Sequence, residues 1–493
     1  MRVILAGYNV DSTVIEELKK ASPPRDDITP ETLSASYARI SRDPRPIDKL
    51  RTEARAEVER ARRSNQNIIF KMGHHSVAEH AVFNFDIIGV SRLALEEIEK
   101  FRLCSYTEKS QRYVTLKNDF VLPEEIKNAG MENIFVDTIM AQNALYHKLY
   151  KKLRPHIFAK HRDMAQDPKK RSLLDGWAKE DARYTVSLAT QGQVGMTLNA
   201  RNLEFFIRRF SSKKLAELKE LNQKIYKLSK EVAPSIILFT EADEFDAKTY
   251  ENLEARADEF ISSTNQAPNP TVQLMTYTPD ADDRLVASLL HTSSSLSYKA
   301  CLKNSRRLSF ERKKEFLKLA FQHMEFYDSV LREFEYVDLT FDLIVSATCF
   351  AQLKRHRMAT VTTQKYNPAL GVTVPPSIEE VGKKSEYLEM IARTNDVYSL
   401  LSERLAQGAE YVLTNAHRKR VLIKVNAREL YHISRLREDR TAQWDIRQIV
   451  GTMTELAKRV MPLTFLLIGS KENFPAAYKK AFGRLPKFHP PKL

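Results

Sequence analysis

The feature that most constrains the fold of this chain is an internal repeat. Six short blocks occur twice in the same order and with similar spacing. The paired blocks are MRVILAGYN (1–9) and TVQLMTYTP (271–279), AVFNFDI (81–87) and VDLTFDL (337–343), SRLALEEIEKFR (91–102) and SATCFAQLKRHR (346–357), SQRYV (110–114) and TQKYN (363–367), FVLPEEI (120–126) and VTVPPSIEEV (372–381), and RYTVSLATQGQVGMTLNARNLEFF (183–206) and EYVLTNAHRKRVLIKVNARELYHI (410–433). The sequence therefore predicts a tandem duplication.

Each repeat mixes strand and helix patterns. Leu339, Phe341 and Leu343 alternate with polar residues, which is typical of a half-buried strand. Apolar residues spaced for one face of a long helix recur in both repeats: Leu145, Leu149 and Leu153, then Tyr387, Ile391, Leu401 and Leu405. Because strands and helices do not alternate regularly, the predicted fold class is α+β (mixed α/β, helix-rich), with two tandem copies of one domain.

The junction between the copies is predicted from local composition. Residues 241–260 are acidic and polar, and the following SSTNQAPNP is turn-rich with two prolines. We expect copy one at 1–245, a linker at 246–268 and copy two at 269–493.

Composition narrows the function classes. The chain has 493 residues and a net charge of +15, which favours anionic partners such as nucleotides, phosphorylated cofactors or nucleic acid. Its three cysteines contain no CxxC pair, its N-terminus lacks a secretory apolar stretch, and no run of about 18 apolar residues occurs. A cytoplasmic protein with no membrane partner is expected. No two glycines are spaced as GxG, which excludes the glycine-rich dinucleotide and P-loop fingerprints.

The first candidate site is GHHSVAEH (73–80), which contains three histidines and a glutamate. Such a cluster can bind metal, but HExxH is absent, and no metal site is predicted. Two other interpretations stay open: an anion bound at a helix N-terminus, or a purely structural cap by Ser76.

The second candidate site is Arg355-His356-Arg357, at the predicted end of a helix. Cations there complement the helix dipole, so a simple charge preference is one interpretation. Contact between two guanidinium groups and a diphosphate or flavin is the other. In SQRY (110–113), a hydroxyl and a guanidinium two residues apart could bind one phosphate or form a polar loop edge.

The third candidate is NARELYHISRLREDRTAQWDIR (426–447). It predicts a helix that ends at Arg437 and a second helix that begins at AQWDIR, with Trp444 and Ile446 buried. A DNA-binding helix–turn–helix is also possible, although the glycine usual in its turn is missing.

Together these blocks resemble the flavin-dependent thymidylate synthases, whose pattern runs GHxSxxEH, SRxxxxQxxRHR, a Ser-x-Arg-Tyr loop and NARxLxxxxxLR…AQWxIR. The resemblance covers nearly the whole chain twice, in degraded form. It implies reductive methylation of dUMP, with FAD as cofactor, NADPH as reductant and methylenetetrahydrofolate as carbon donor. It also implies a homotetramer with sites at subunit interfaces, which a duplicated chain would imitate as a homodimer with four repeat units.

The resemblance assigns roles to individual residues. It implies a uracil-activating role for Arg437. The substrate-binding residues implied are Ser110, Gln111, Arg112, Arg183 and Gln352. The flavin-binding residues implied are His74, Ser76, Glu79, Asn199, Arg201, Arg355, His356, Arg357, Asn426 and Arg428.

The two copies depart from this pattern in complementary ways. Copy one has Phe210 where copy two has Arg437, and it lacks the RHR and AQW motifs, whereas copy two lacks GHxSxxEH and has Thr363 and Lys365 in place of a Ser-x-Arg pair. Composite sites that combine both copies are therefore expected, with the reciprocal sites inactive or regulatory. The alternatives are a degenerate homologue that binds flavin or nucleotide without turnover, and, less favoured, a basic nucleic-acid-binding protein.

Overall fold

The computed structural model describes residues 1–18, 28–39, 45, 47–66, 69, 75–110, 116, 118–262 and 270–490. The predicted site residues His74, Gln111 and Arg112 lie outside these ranges.

Eight strands form two four-stranded antiparallel sheets with the same strand order, β1-β2-β4-β3 and β5-β6-β8-β7. The strands are β1 (Arg2–Tyr8), β2 (Val82–Ser91), β3 (Ser105–Glu108), β4 (Gln191–Asn199), β5 (Val272–Tyr277), β6 (Asp338–Ser346), β7 (Thr360–Thr363) and β8 (Arg418–Asn426). In β6, Leu339, Phe341 and Leu343 are fully buried and alternate with half-buried polar residues, as the pattern predicts.

Helices account for most of the remaining regular structure, so the helix-rich α+β prediction is confirmed. They are α1 (Ser12–Leu18), α2 (Glu31–Arg39), α3 (Ile47–Ala56), α4 (Val58–Asn65), α5 (Arg92–Ile98), α6 (Glu124–Asn128), α7 (Glu132–Lys160), α8 (Arg162–Gln166), α9 (Pro168–Ala182), α10 (Ala200–Ser211), α11 (Ala216–Val232), α12 (Glu244–Arg256), α13 (Ala281–Thr292), α14 (Tyr298–Arg307), α15 (Phe310–Phe321), α16 (Ala347–Leu353), α17 (Pro376–Glu380), α18 (Lys384–Arg404), α19 (Ala427–Arg437), α20 (Trp444–Val460) and α21 (Phe474–Phe482).

Short 3₁₀ helices span His75–His80, Arg183–Thr185, Ala257–Phe260, Arg332–Tyr336, Pro368–Leu370 and Ala409–Val412. Within the described ranges, no helix is both long and apolar enough to cross a membrane.

The chain forms two compact units, and each unit takes residues from both halves of the sequence. Unit 1 comprises residues 1–145, 186–265 and 388–413, whereas unit 2 comprises 146–185, 266–387 and 414–493. Two of the unit boundaries fall inside helices, one in α7 and one in α18. The predicted apolar stripes of these helices are buried, among them Leu149, Leu153 and Leu401, except that Leu405 lies beyond the end of α18 and is half-buried.

The predicted linker residues begin within helix α12 of unit 1. Asp246 of this helix lies 3.0 Å from the Nε atom of Arg208 and is also bonded to Arg209, both on α10. The Asp246 side chain is 2% exposed, although no residue of α12 is buried as a whole, so this part of the acidic stretch is a surface helix joined to α10 by ion pairs.

The sheets place two helix starts that matter for the candidate site. Ser346, the last residue of β6, accepts a hydrogen bond from the Cys349 backbone N–H and caps α16. Asn426, the last residue of β8, accepts one from the Glu429 N–H at 2.8 Å and caps α19. Side-chain caps of this kind fix where a helix begins.

Candidate functional site

Arg437 and His356 lie in contact in unit 2. Arg437 is the last residue of α19, and His356 follows the end of α16 by three residues. The Arg437 Nε–H donates to Nε2 of His356 at 2.9 Å, and its Nη2 donates to the Gln352 carbonyl at 3.2 Å. His356 is 3% exposed, whereas Arg437 is half-buried. The structure therefore brings three predicted site residues together and leaves part of the guanidinium accessible.

The hydrogen bond with Arg437 requires one particular tautomer of His356. An arginine Nε always carries a proton, so Nε2 of His356 must be an unprotonated acceptor, and the ring proton lies on Nδ1. Burial, then the neighbouring charges of Arg437 and His432, holds the pKa of His356 well below its usual range. Its Nδ1 faces the carboxylate of Glu429, with 3.6 Å between Nδ1 and Oε1.

A chain of buried polar groups leads from Gln352 to residues of the first half of the sequence. Gln352 donates to Gln443 at 3.4 Å, and Gln443 donates to the Tyr184 hydroxyl at 2.7 Å. The Tyr184 hydroxyl and the Ser346 hydroxyl both donate to Asp445, at 2.9 and 2.6 Å. Unit 2 thus joins a side chain from the first half to the helices that carry Arg437 and His356.

Unit 1 has a different set of side chains at the equivalent positions. Asn199 and Ser91 cap α10 and α5, as Asn426 and Ser346 cap α19 and α16. Counting from these caps, Phe101 is equivalent to His356, Phe205 to His432 and Phe210 to Arg437. The Phe101 ring lies 5.7 Å from Phe205 and 5.9 Å from Phe210, centroid to centroid. An aromatic cluster therefore fills the place that the polar cluster occupies in unit 2.

In contrast, the serine–carboxylate–tyrosine trio of unit 2 has a close counterpart in unit 1. Glu217 accepts from the Ser91 hydroxyl at 2.6 Å and from the Tyr411 hydroxyl at 2.7 Å. Burial raises the pKa of Glu217, as it does for Asp445 in unit 2. Because this trio persists where the polar cluster is missing, we assign it a structural role: it fastens residues 183–185 and 409–412 within their units.

This structural role predicts matched effects in the two units. Tyr184→Phe and Tyr411→Phe should each lower the free energy of unfolding by about 1–3 kcal/mol, because each leaves a buried carboxyl group short of a donor. Tyr336→Phe, at a tyrosine that is 68% exposed, should change it by less than about 0.5 kcal/mol. Thermal and urea unfolding measure these effects. A selective loss of activity in Tyr184→Phe without loss of stability would contradict a structural role.

The other predicted residues of unit 2 lie around the same helices. The helix α16 ends at Leu353, so the RHR motif follows it instead of closing it, and Arg355 and Arg357 are exposed on either side of buried His356. Arg428 donates to the Val330 carbonyl at 2.9 Å and to Glu335 at 3.0 Å. Arg183 is 7% exposed, and its carbonyl accepts from Asn415.

The predicted residues of unit 1 form two separate groups. Ser76 is exposed and Glu79 half-buried on a 3₁₀ helix, and Glu79 accepts from Arg201 at 2.6 Å. Asn199 is occupied as the cap of α10.

Ser110 lines a small cleft with Arg92, Glu108, Lys109 and Gln191. The register of the two sheets also corrects the expected alignment of SQRY (110–113) with TQKY (363–366). The Lys109 N–H bonds to the Gln193 carbonyl and the Gln364 N–H to the Arg420 carbonyl, so Lys365 takes the place of Ser110.

Sequence reasoning missed Glu429, Gln443 and Tyr184 as members of the polar cluster and its chain. Gln443 belongs to the AQW motif and could have been found there. Glu429 looks like an ordinary acidic residue in the first turn of a helix, and no local signal marks its contact with a histidine 73 positions earlier in the chain. Trp444, expected to be buried, is half-buried, whereas Ile446 is fully buried.

The sequence of this chain is similar to those of several known proteins. A family model described as thymidylate synthase complementing protein matches residues 26–235 and 273–463. A flavin-dependent thymidylate synthase of Clostridium tetani is 28% identical over 216 residues, which are 43% of this chain and 82% of the relative. UPF0159 proteins match over more of the chain. That of Thermoplasma acidophilum is 24% identical over 470 residues, 87% of this chain and 92% of the relative. That of Chlamydia pneumoniae is 23% identical over 421 residues, which are 82% of this chain and 79% of the relative.

Proposed function

The chain belongs to the thymidylate synthase complementing protein family, and we propose that it is an enzyme that converts dUMP to dTMP by FAD-dependent reductive methylation. Methylenetetrahydrofolate would supply the carbon and NADPH the electrons. The observation that carries this proposal is the Arg437–His356–Gln352 cluster of unit 2, which has the residue types that the family pattern requires and holds the arginine in a defined orientation.

Arg437 is the residue we propose to act on the pyrimidine. Its Nε–H and one Nη–H hold the side chain against His356 and Gln352, and Arg437 as a whole is half-buried. A fixed cation beside the uracil ring would stabilise the negative charge that develops there as the new carbon–carbon bond forms. Preorganised hydrogen-bond donors in a partly water-excluded site usually make the largest single contribution to the rate enhancement of an enzyme.

The residues of unit 2 also fit a flavin dinucleotide. Arg355 and Arg357 are exposed cations that flank a buried histidine, and exposed guanidinium groups of this kind can bind a diphosphate. The Nε–H of Arg355 also donates to the Ala351 carbonyl at 3.2 Å. With Asn426 and Arg428, these two exposed cations would hold FAD, which supplies two-electron chemistry when bound. The net charge of +15 favours the several anionic ligands that this reaction requires.

We further propose that the chain arose by tandem duplication and that its working site uses residues from both halves. The shared strand order of the two sheets supports the first point, and the link from Tyr184 to Gln443 supports the second. The remaining family positions stay predicted ligands: Ser110, Gln111, Arg112, Arg183 and Gln352 for the nucleotide, and His74, Ser76, Glu79, Asn199 and Arg201 for the flavin. The aromatic cluster of unit 1 favours one catalytic arginine per chain.

Two further proposals concern the assembly and its setting. A homodimer would supply four repeat units with closed symmetry, in place of the family's tetramer. A cytoplasmic location fits three cysteines that are all free and buried. The competing function is a homologue that binds flavin or nucleotide without turnover, and the loss of the polar cluster from unit 1 is the observation in its favour.

Flavin binding provides the first test. The purified chain should bind FAD at micromolar concentration, and the double variant Arg355→Ala, Arg357→Ala should weaken binding by ~10²- to 10⁴-fold, because charge-assisted hydrogen bonds to a phosphate contribute about 1.5–3 kcal/mol each. Flavin fluorescence titration measures both affinities. The double variant Arg306→Ala, Arg312→Ala, which removes two other exposed cations of unit 2, is the matched control and should bind normally. A chain that ignores FAD would overturn the proposed function.

A further inference from the structure

The strongest unassigned feature is a set of side chains that is present in unit 2 and absent, as a set, from unit 1. Unit 2 has His356, Glu429 and Arg437. At the same numbers of residues after the helix caps, unit 1 has Phe101, Asn202 and Phe210. The serine–carboxylate–tyrosine trio persists in both units. Residues present in both units, such as the trio, are therefore those that the fold requires. Glu429 belongs to the other group, the residues present in unit 2 alone among these equivalent positions.

The geometry gives Glu429 a specific task. Glu429 and His356 have side chains that are 7% and 2% exposed, so water competes little for the carboxylate or for the Nδ1–H of the neutral ring. Nδ1 of His356 lies 3.6 Å from the Glu429 carboxylate, and Nε2 of the same ring accepts from Arg437. Burial raises the pKa of Glu429, and the charges of the nearby His432 and Arg428 act against that shift.

We propose that Glu429 is a positioning residue that keeps the His356 proton on Nδ1 and thereby holds Arg437 in its reactive orientation. This inference rests on the proposed role of Arg437. With the proton on Nδ1, the ring offers Arg437 an acceptor. With the proton on Nε2, two N–H groups would face each other at 2.9 Å, and the arginine would have to move. A displacement of ~1 Å of a catalytic group can lower a rate by about 100-fold.

The discriminating variant is Glu429→Gln. Glutamine has the same shape, but its amide N–H₂ can donate to Nδ1 and so favours the wrong tautomer. In this variant, kcat should fall by ~10- to 100-fold, while the nucleotide KM changes by less than about threefold. Glu429→Asp, which retains the carboxylate, should recover part of the loss. Glu438→Gln is the matched control, because Glu438 is a partly buried carboxylate beside the same helix that accepts from the hydroxyls of Ser434 and Thr454.

Nitrogen-15 NMR of histidine-labelled protein, with His356 assigned by the loss of its signals in His356→Gln, gives a readout independent of turnover. The wild-type ring should be protonated on Nδ1 alone, and Glu429→Gln should populate the Nε2 tautomer. An unchanged tautomer in Glu429→Gln, or a kcat within about twofold of wild type, would overturn the positioning role. If the wild-type protein lacks turnover, the proposed function fails, and the tautomer experiment still decides the role of Glu429.

Discussion

Replacing Arg437 with alanine should lower dTMP formation by ~10²- to 10³-fold, the usual cost of removing one preorganised donor from a charge-stabilising site. The chain offers no substitute, because the equivalent residue of unit 1 is Phe210, which is fully buried among aromatic rings. The affinity for FAD should change little, since Arg355, Arg357, Asn426 and Arg428 are untouched. Product formation under single-turnover conditions and flavin fluorescence titration measure the two quantities separately.

A neighbouring arginine provides the control for this experiment. Arg440 lies three residues later, is 77% exposed and pairs with Glu472 at 3.0 Å. Arg440→Ala removes the same charge from the same part of unit 2 without touching His356 or Gln352, and it should leave turnover within about twofold, because exposed ion pairs contribute little. If Arg437→Ala and Arg440→Ala were equally active, Arg437 would not be the catalytic residue, and the non-catalytic homologue would be the better interpretation.

Local signals in the sequence predicted where α19 ends, at Arg437, but not where α16 ends, which is at Leu353, before the RHR motif. Asn426, a residue type that caps helices, precedes the first residue of α19. The alternation of Leu339, Phe341 and Leu343 likewise identified β6 and its buried face. These predictions succeed because capping and strand periodicity depend on residues within a few positions of each other.

The partners of the amphipathic helices could not be predicted in the same way. The stripe of Leu149 and Leu153 says that one face of α7 is buried, but not which residues cover it. Residues 146–185 belong to unit 2 and residues 388–413 to unit 1, an exchange that no local pattern of the sequence indicates. Burial of His356 is a similar case: a histidine between two arginines looks exposed until Arg437 and Glu429 are brought beside it.

This exchange of segments leads to the prediction with the largest effect on folding. Expressed as separate polypeptides, residues 1–265 and 266–493 should each fail to show cooperative unfolding. Without residues 146–185, unit 2 loses Tyr184, which is fully buried, and Asp445 and Gln443 lose their hydroxyl partner. Without residues 388–413, unit 1 loses Tyr411, and the Leu188 N–H loses its bond to the Leu413 carbonyl.

The size of the effect follows from the number of buried groups removed. Truncating a single buried leucine or aromatic residue costs about 2–5 kcal/mol, and whole domains are stable by only about 5–15 kcal/mol. Residues 146–185, which belong to unit 2, include four fully buried side chains, those of Leu149, Leu153, Leu174 and Tyr184, so we expect a fragment without them to be unstable.

Co-expression distinguishes exchange of segments from simple fragility of the fragments. The two polypeptides together restore every missing segment, so they should co-purify and unfold cooperatively, as the intact chain does. Near-ultraviolet circular dichroism and thermal unfolding follow the recovery of fixed packing. If residues 266–493 alone gave the near-ultraviolet spectrum and unfolding transition of a packed domain, residues 146–185 would be dispensable to unit 2. The link from Tyr184 to Gln443 could then not be part of what holds the Arg437 site together, and a site built from both halves of the chain would have to be abandoned.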